Sequence, residues 1–226
     1  MRPGTLLRLR ALRYIVKHEI PPNAAVLDVG AFDGVMSDHL CRARENLNLT
    51  VVDLDQDGLE QARAKGLNTV HASVNELPQP SNSIDRVLCL DLIEHLEDDA
   101  GAFQEMARVL KPGGRIVLTT PDEHGVHFPF ISKQRNTEVN IGWGHLRLGY
   151  SRSSLRRLFE QCGLRILYMT GYFNVLTRMA YSLAYLAPHR PPGKTMIYNM
   201  AAWLEPFLHL GNQEHIVVAE KPRPGE

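Results

Sequence analysis

Only three cysteines occur in the 226 residues: Cys41, Cys89 and Cys162, far apart and with no CxxC pair. An odd, scattered set supports neither a disulfide framework nor a zinc site, and it fits a reducing cytoplasm. Net charge is also missing, since 25 basic residues balance 25 acidic ones. That argues against a nucleic-acid binder held by a global basic field. No uncharged apolar run reaches the roughly 20 residues of a spanning helix. The longest stretches, 166–177 and 179–189, are separated by Arg178. Arg8, Arg10, Arg13 and Lys17 interrupt any apolar core of a secretory leader. The expectation is a cytoplasmic protein that is soluble, or peripheral to a membrane at most.

The composition itself, 44% hydrophobic and 22% charged, is globular. The length suits a single domain able to bury most of its surface without a disulfide or metal staple. The balanced charge hides an asymmetry. Residues 1–22 carry five basic and one acidic residue, 23–122 eight and seventeen, and 123–226 twelve and seven. An acidic block between basic flanks is either a solvated surface or the seat of a cationic ligand.

Hydrophobic periodicity gives a helix over 5–18 and then alternating strands and helices. Strands are expected at 25–29, 49–53, 68–72, 84–90 and 115–120, with helices at 35–43, 55–65 and 97–110. Lys111-Pro112-Gly113-Gly114 reads as a helix stop. A helix at 151–162 and strands at 164–170 and 214–220 follow. The pattern is that of βαβ units, so the fold class is α/β with a doubly wound, mostly parallel sheet. The domain is read as one unit, with an N-terminal helix (1–22), a cofactor-binding half (23–122), a substrate half (123–170), a helical insertion (171–213) and a last strand (214–221).

In such sheets ligands sit beyond the carboxyl ends of the strands. The first strand-to-helix turn is Asp28-Val29-Gly30-Ala31-Phe32-Asp33-Gly34. Its glycine spacing is not that of GxGxxG. A diphosphate there would also face Asp28 and Asp33, and one like-charge pair at about 5 Å costs roughly 3 kcal/mol. A cationic nucleoside without phosphate, S-adenosylmethionine, meets no such penalty. Asp53, ending the second strand, can accept both ribose hydroxyls.

Three segments carry a resemblance: VLDVGAFDG (26–34), VVDLDQDGLEQAR (51–63) and residues 84–121 with the Lys-Pro-Gly-Gly turn. Together, in this order, they resemble the class I S-adenosylmethionine-dependent methyltransferases of small molecules, over residues 24–122 and more weakly over 143–170. The resemblance implies a seven-stranded Rossmann-like methyltransferase fold. It implies that Asp28 and Gly30 lie beside the methionine part of the cofactor, that Gly34 opens the helix, that Asp53 holds the ribose and that Leu54 flanks the adenine. Ser73 and Val74 fall at the adenine amino edge and Asp91 at the methionine end. Glu94 and His95 match the family's Glu-His pair, with His95 expected to order the loop after the fourth strand. Phe32 departs from the family by standing in place of its middle glycine. Its ring must point away from the cofactor or fill part of the pocket.

A hydroxyl acceptor needs a base, for which histidine suits neutral pH. His124, His127 and His145 follow the fifth strand, and His145 and His124 are the candidate catalytic bases. His124 and His127 lie three apart, but the helix signal around them is poor, so no metal site is expected. The insertion at 171–213 replaces a short connection and is rich in aromatic residues and methionine. It reads as two amphipathic helices, 174–187 and 195–210, joined by Pro188–Gly193. It is expected to act as a lid over an apolar pocket. A second reading is peripheral membrane contact, with Arg178, Arg190 and Lys194 toward an anionic surface. The expected function is methyl transfer to a small apolar or amphiphilic acceptor, preferably at oxygen, with a small-molecule partner and no nucleic acid. The alternatives are a protein of the same fold that binds S-adenosylmethionine without transfer, and a membrane-surface methyltransferase acting on a lipid-linked acceptor.

Overall fold

The computed structural model describes residues 3–44, 46–186, 194–207 and 210–225. The chain runs α1 (Pro3–Glu19), β1 (Ala25–Val29), α2 (Val35–Ala43), β2 (Asn48–Asp53), α3 (Gln56–Ala64), β3 (Asn68–His71) and β4 (Ile84–Leu90). It continues through a 3-10 turn (Ile93–His95), α4 (Asp99–Val109), β5 (Leu110–Pro121), α5 (Lys133–Gly142), α6 (Arg152–Gln161) and β6 (Arg165–Tyr172). It closes with α7 (Val175–Leu186), α8 (Lys194–Leu204), a second 3-10 turn (Glu205–Phe207) and β7 (Glu214–Glu220). The expected connector Pro188–Gly193 lies outside the described residues.

The sheet has seven strands in the order β3-β2-β1-β4-β5-β7-β6. The first five pair in parallel, and β7 is antiparallel to both β5 and β6. The near-continuous apolar strands follow from this, because a parallel sheet is buried on both faces. Leu27, Val29, Val87 and Cys89 point into one core and Val26, Val51, Leu88 and Val117 into the other. The second core also takes in Leu7, Leu12 and Ile15 of α1.

Two elements depart from the expectation. Lys111-Pro112-Gly113-Gly114 does not precede β5 but lies within it. The register jumps from Ile84↔Leu110 to Arg86↔Arg115, so the extra residues form a bulge. Gly113 takes φ +78, and its N–H donates to the Lys221 carbonyl at 2.7 Å. The stretch between β5 and α6, to which periodicity assigns no element, contains α5. Its N-cap is Ser132, whose hydroxyl accepts from the Arg135 N–H at 3.2 Å.

β6 runs parallel to β5, so the insertion after Tyr172 leaves at the carboxyl edge of the sheet. There α8 packs against α7 and α1. A buried joint fastens it: Glu205 accepts from the Asn174 N–H at 3.0 Å and from its side-chain amide at 2.8 Å. Arg178 corrects an expectation. It turns inward, donating to the carbonyls of His127 at 2.5 Å and Gly211 at 2.8 Å, and so faces no outer surface. Arg190 lies outside the described residues.

Candidate active site

The turn after β1 is shaped by left-handed backbone. Gly30, Phe32 and Gly34 have φ of 68°, 48° and 65°. A Cβ on Gly30 would stand 2.5 Å from the Leu92 side chain. Glycine is therefore needed there both for its conformation and for the close approach of the β4 turn. The Gly30 N–H donates to the Val52 carbonyl at 2.8 Å, tying the turn to β2. Phe32 adopts the backbone of the glycine it replaces. Its ring lies over Gly58 of α3, where an added Cβ would meet it at 2.7 Å. Of the two orientations open to Phe32, the ring takes one against α3 and is 36% exposed.

Asp53 stands at the end of β2. Its carboxylate accepts from the Phe32 N–H at 2.7 Å and the Asp55 N–H at 2.8 Å. Each oxygen keeps a second lone pair, so two ribose hydroxyls still find acceptors. Leu54 beside it is 64% exposed, an uncovered apolar face next to a carboxylate. Ser73 is half-buried and its hydroxyl accepts from the Asn75 N–H at 3.2 Å, while Val74 is buried. Asp28 is deep in β1 and accepts from the Ser37 hydroxyl. Burial pushes its carboxyl up to about 7, against the opposing pull of Ser37 and Arg8. The donors and carboxylates around this crevice fit a cationic nucleoside.

Beyond β4 the chain turns sharply at Asp91, whose φ is 51°. Asp91 accepts from the Thr119 hydroxyl of β5 and forms an ion pair with Arg8 of α1. Burial alone would lower the Arg8 pKa; Asp91, then Tyr172 and Glu214, reverse this and raise it. Glu94 is wholly buried. Thr120 donates to its Oε2 at 3.0 Å, and its Oε1 has no hydrogen-bond partner. Burial, and next the charge of Asp91, push its carboxyl up to about 8.

His95 and His145 meet beside Glu94. Their rings are edge-to-face with centroids 4.8 Å apart. His95 Nδ1 lies 3.0 Å from the Gly144 carbonyl. A carbonyl only accepts, so Nδ1 carries the proton and Nε2 the lone pair. His145 Nδ1 is buried without a partner, and desolvation, then the neighbouring His95, lowers its pKa to about 4. The ring is neutral at pH 7. The loop that carries it is clamped down: the amides of Leu146 and Arg147 donate to the Glu94 carbonyl at 3.0 and 3.3 Å. Arg147 also pairs with Asp99 and donates to the Leu96 carbonyl at 2.6 Å. The Tyr150 hydroxyl donates to the Ile93 carbonyl at 3.1 Å.

His145 thus joins Glu94 and His95, whereas His124 is 73% exposed at the side chain and lies 2.9 Å from Asp122. The N–H of His127 donates to Gln213 at 2.6 Å. Sequence reasoning missed Arg8, Thr119, Thr120, Tyr172 and Glu214. Two threonines closing an apolar strand were the available signal.

Residues 27–118 match the family model described as a methyltransferase domain. That stretch holds the β1 turn, Asp53 and the β4 turn just described. Over this stretch the chain has a methyltransferase domain. Among curated proteins, a ubiquinone biosynthesis O-methyltransferase of Xylella fastidiosa is 33% identical over 116 residues, 48% of this chain and 46% of that one. The chain therefore spans about half the length of the curated relatives it matches. A SAM-dependent methyltransferase from Archaeoglobus fulgidus superposes with a TM-score of 0.67 at 21% identity, covering 98% of this chain and 95% of its own. The cyclase SpnF superposes with a TM-score of 0.63 at 20% identity, covering 96% and 82%. Likenesses this remote establish the fold of the methyltransferase domain, and that fold hosts more than one reaction.

Proposed function

We propose that the chain binds S-adenosylmethionine beyond β1 and β2 and transfers its methyl group to the hydroxyl of a small, apolar or amphiphilic acceptor. The observation that carries this reading is the pairing of two features at one sheet edge. The Gly30–Gly34 turn with Asp53 suits a cationic nucleoside, and the Glu94–His95–His145 cluster presents polar atoms without hydrogen-bond partners, Glu94 Oε1 and His145 Nδ1, to a hydroxyl. When bound, the cofactor supplies the methyl: the acceptor oxygen forms the new O–C bond as the S–C bond breaks, the electron pair stays on sulfur and the hydroxyl proton leaves.

The chain's own residues orient and exclude water, and orientation contributes about 7–11 kcal/mol to such displacements. Asp53 takes the ribose hydroxyls and Leu54 flanks the base, with Ser73 and Val74 at its amino edge. Asp28, Gly30 and Asp91 border the methionine part. The hydroxyl proton is lost at the cluster, where His145 is neutral and lacks a hydrogen-bond partner at Nδ1. Of the two expected bases, His145 is the one in the cluster, and His124 serves no part of this reading. The insertion, packed on α1, acts as the lid. The O-methyltransferase relatives support oxygen as the acceptor atom.

Calorimetry with S-adenosylhomocysteine, followed by transfer from methyl-labelled cofactor into metabolite extracts, tests this. Binding plus a labelled, base-stable ether product is expected. No heat at millimolar ligand would overturn the cofactor seat. Heat without labelled product from any extract would favour the non-transferring alternative.

A second reading has its own observation. Met196, Met200 and Trp203 of α8 and Phe207 of the turn after it are each more than half exposed. Such an exposed apolar set on the lid favours work at a membrane surface on a lipid-linked acceptor.

A further inference from the structure

We propose that Glu94, His95 and His145 bind one divalent transition-metal ion, and that the acceptor hydroxyl completes its coordination. The ion site stands on geometry alone, and the role for the hydroxyl rests on the methyl-transfer reading above. One ligand-capable atom from each of the three residues lies within 4.8 Å of the others, and Glu94 Oε1 and His95 Nε2 are 4.0 Å apart. A tetrahedral ion at about 2.0–2.2 Å from each donor sets donor spacings of roughly 3.3–3.6 Å. The side chains would draw together on the ion by roughly 0.5–1.4 Å, within reach of a rotation of the His145 ring in its half-exposed loop.

The donors are free where a metal needs them and held where it does not. Glu94 Oε1 and His145 Nδ1 are buried without any hydrogen-bond partner. Leaving such buried atoms unpaired is unfavourable, and a bound cation removes that cost. The opposite atoms are fixed: Thr120 holds Glu94 Oε2, and the Gly144 carbonyl holds His95 Nδ1–H, which directs the Nε2 lone pair inward. This is the supporting shell typical of ligating imidazoles and carboxylates. Charge points the same way. The carboxyls of Asp91, Glu94 and Glu214 repel one another here, and the Arg8 guanidinium offsets this in part.

Two imidazoles and one carboxylate favour Zn²⁺, Fe²⁺, Co²⁺ or Mn²⁺ over Ca²⁺. Three protein donors leave open positions, as in catalytic sites. A hydroxyl on the ion loses its proton to water more readily and then attacks the methyl as an alkoxide-like oxygen. No electron is transferred, so no oxidant or reductant is required.

The full chain, stripped with chelator, is titrated with Co²⁺ by visible absorption and with Zn²⁺ by calorimetry. One ion per chain is expected, with ligand-field bands of mixed nitrogen and oxygen donors. Glu94→Gln and His145→Ala should each weaken binding roughly 100-fold or more, whereas His39→Ala on α2 should leave it unchanged. His145 is in a half-exposed loop, so its variant keeps the test alive should Glu94→Gln fail to fold. Absence of stoichiometric binding, or binding that survives both substitutions, overturns the site. S-adenosylhomocysteine heats are read on the same samples. Metal without cofactor binding sinks the methyl-transfer reading but not the ion site, and cofactor without metal binding does the reverse, leaving His145 as the base.

Discussion

Asp28 holds a proton at a pH where an exposed aspartate has long lost it. Burial sets its folded pKa at about 7, whereas in the unfolded chain it returns to roughly 4. The folded state binds the extra proton between these values. The group's contribution to stability is therefore complete below about pH 4 and is lost as pH rises through about 7. Between pH 5 and 8 the loss is roughly 2–3 kcal/mol. Asn at this position is nearly isosteric, keeps an acceptor for Ser37 and cannot ionise. Urea unfolding of Asp28→Asn should show a fall in stability from pH 5 to 8 that is shallower than that of the unmodified chain by this amount. Parallel falls would mean that Asp28 is already ionised in the fold. Phe32 illustrates the same tension between local cost and position. A left-handed backbone costs a bulky residue about 1–2 kcal/mol, offset in part by the contact of its ring with Gly58.

At the scale of elements, the placement of His145 depends on the segment 143–150, and that segment depends on Arg147. Its guanidinium reaches Asp99, the Leu96 carbonyl and the Tyr150 hydroxyl, all fixed to the β4–α4 connection or its neighbour. Arg147→Ala should release the loop while the sheet stays intact. Hydrogen exchange at the Leu146 and Arg147 amides, which bond the Glu94 carbonyl, should quicken by about tenfold or more with exchange in β4 and β5 unchanged. Unaltered exchange at those amides would place the anchor elsewhere, in Tyr150 or the histidine pair. What the sequence revealed of the elements follows the same physics. Strands buried on both faces write themselves as unbroken apolar runs, and β1, β4 and β7 were readable for that reason. α5 was not, because its inward side carries Asn136 and Asn140 rather than an apolar stripe. Asn136 accepts from the Phe128 N–H at 2.8 Å and Asn140 from the Val126 N–H at 3.0 Å, so side-chain amides fasten the helix where periodicity is silent. The cofactor turn was legible through Gly30, Gly34 and Asp53, which are local in sequence. Arg8 was not, since its partner Asp91 lies 83 residues away and a basic helix normally faces water.

For the whole molecule, the arrangement sets an acidic centre beneath a basic and apolar cover. The acidic residues 23–122 supply the carboxylates at the sheet edge, and α1 lies over them with Arg8 turned in. α8 completes the cover: Tyr198 and Ala202 face inward, Tyr198 with its ring 4.8 Å from that of Tyr181. Its other side carries the exposed Met196, Met200 and Trp203, with Phe207 in the turn that follows. This element is apolar on both sides, and a bilayer interface would suit the outer one. On the membrane-surface reading, the exposed rings and sulfurs would enter the acyl boundary and an amphiphilic acceptor would pass beneath the insertion. Association with liposomes of phosphatidylglycerol and phosphatidylcholine is then expected in flotation, with the Trp203 emission moving to the blue. The double substitution Met200→Glu and Trp203→Glu sets two charges on the outer side without touching the inward side. It should abolish flotation and leave both the melting temperature and S-adenosylhomocysteine binding within error. Failure of the unmodified chain to float with either lipid would restrict these side chains to the lid's own packing and confine the acceptor to water-borne molecules.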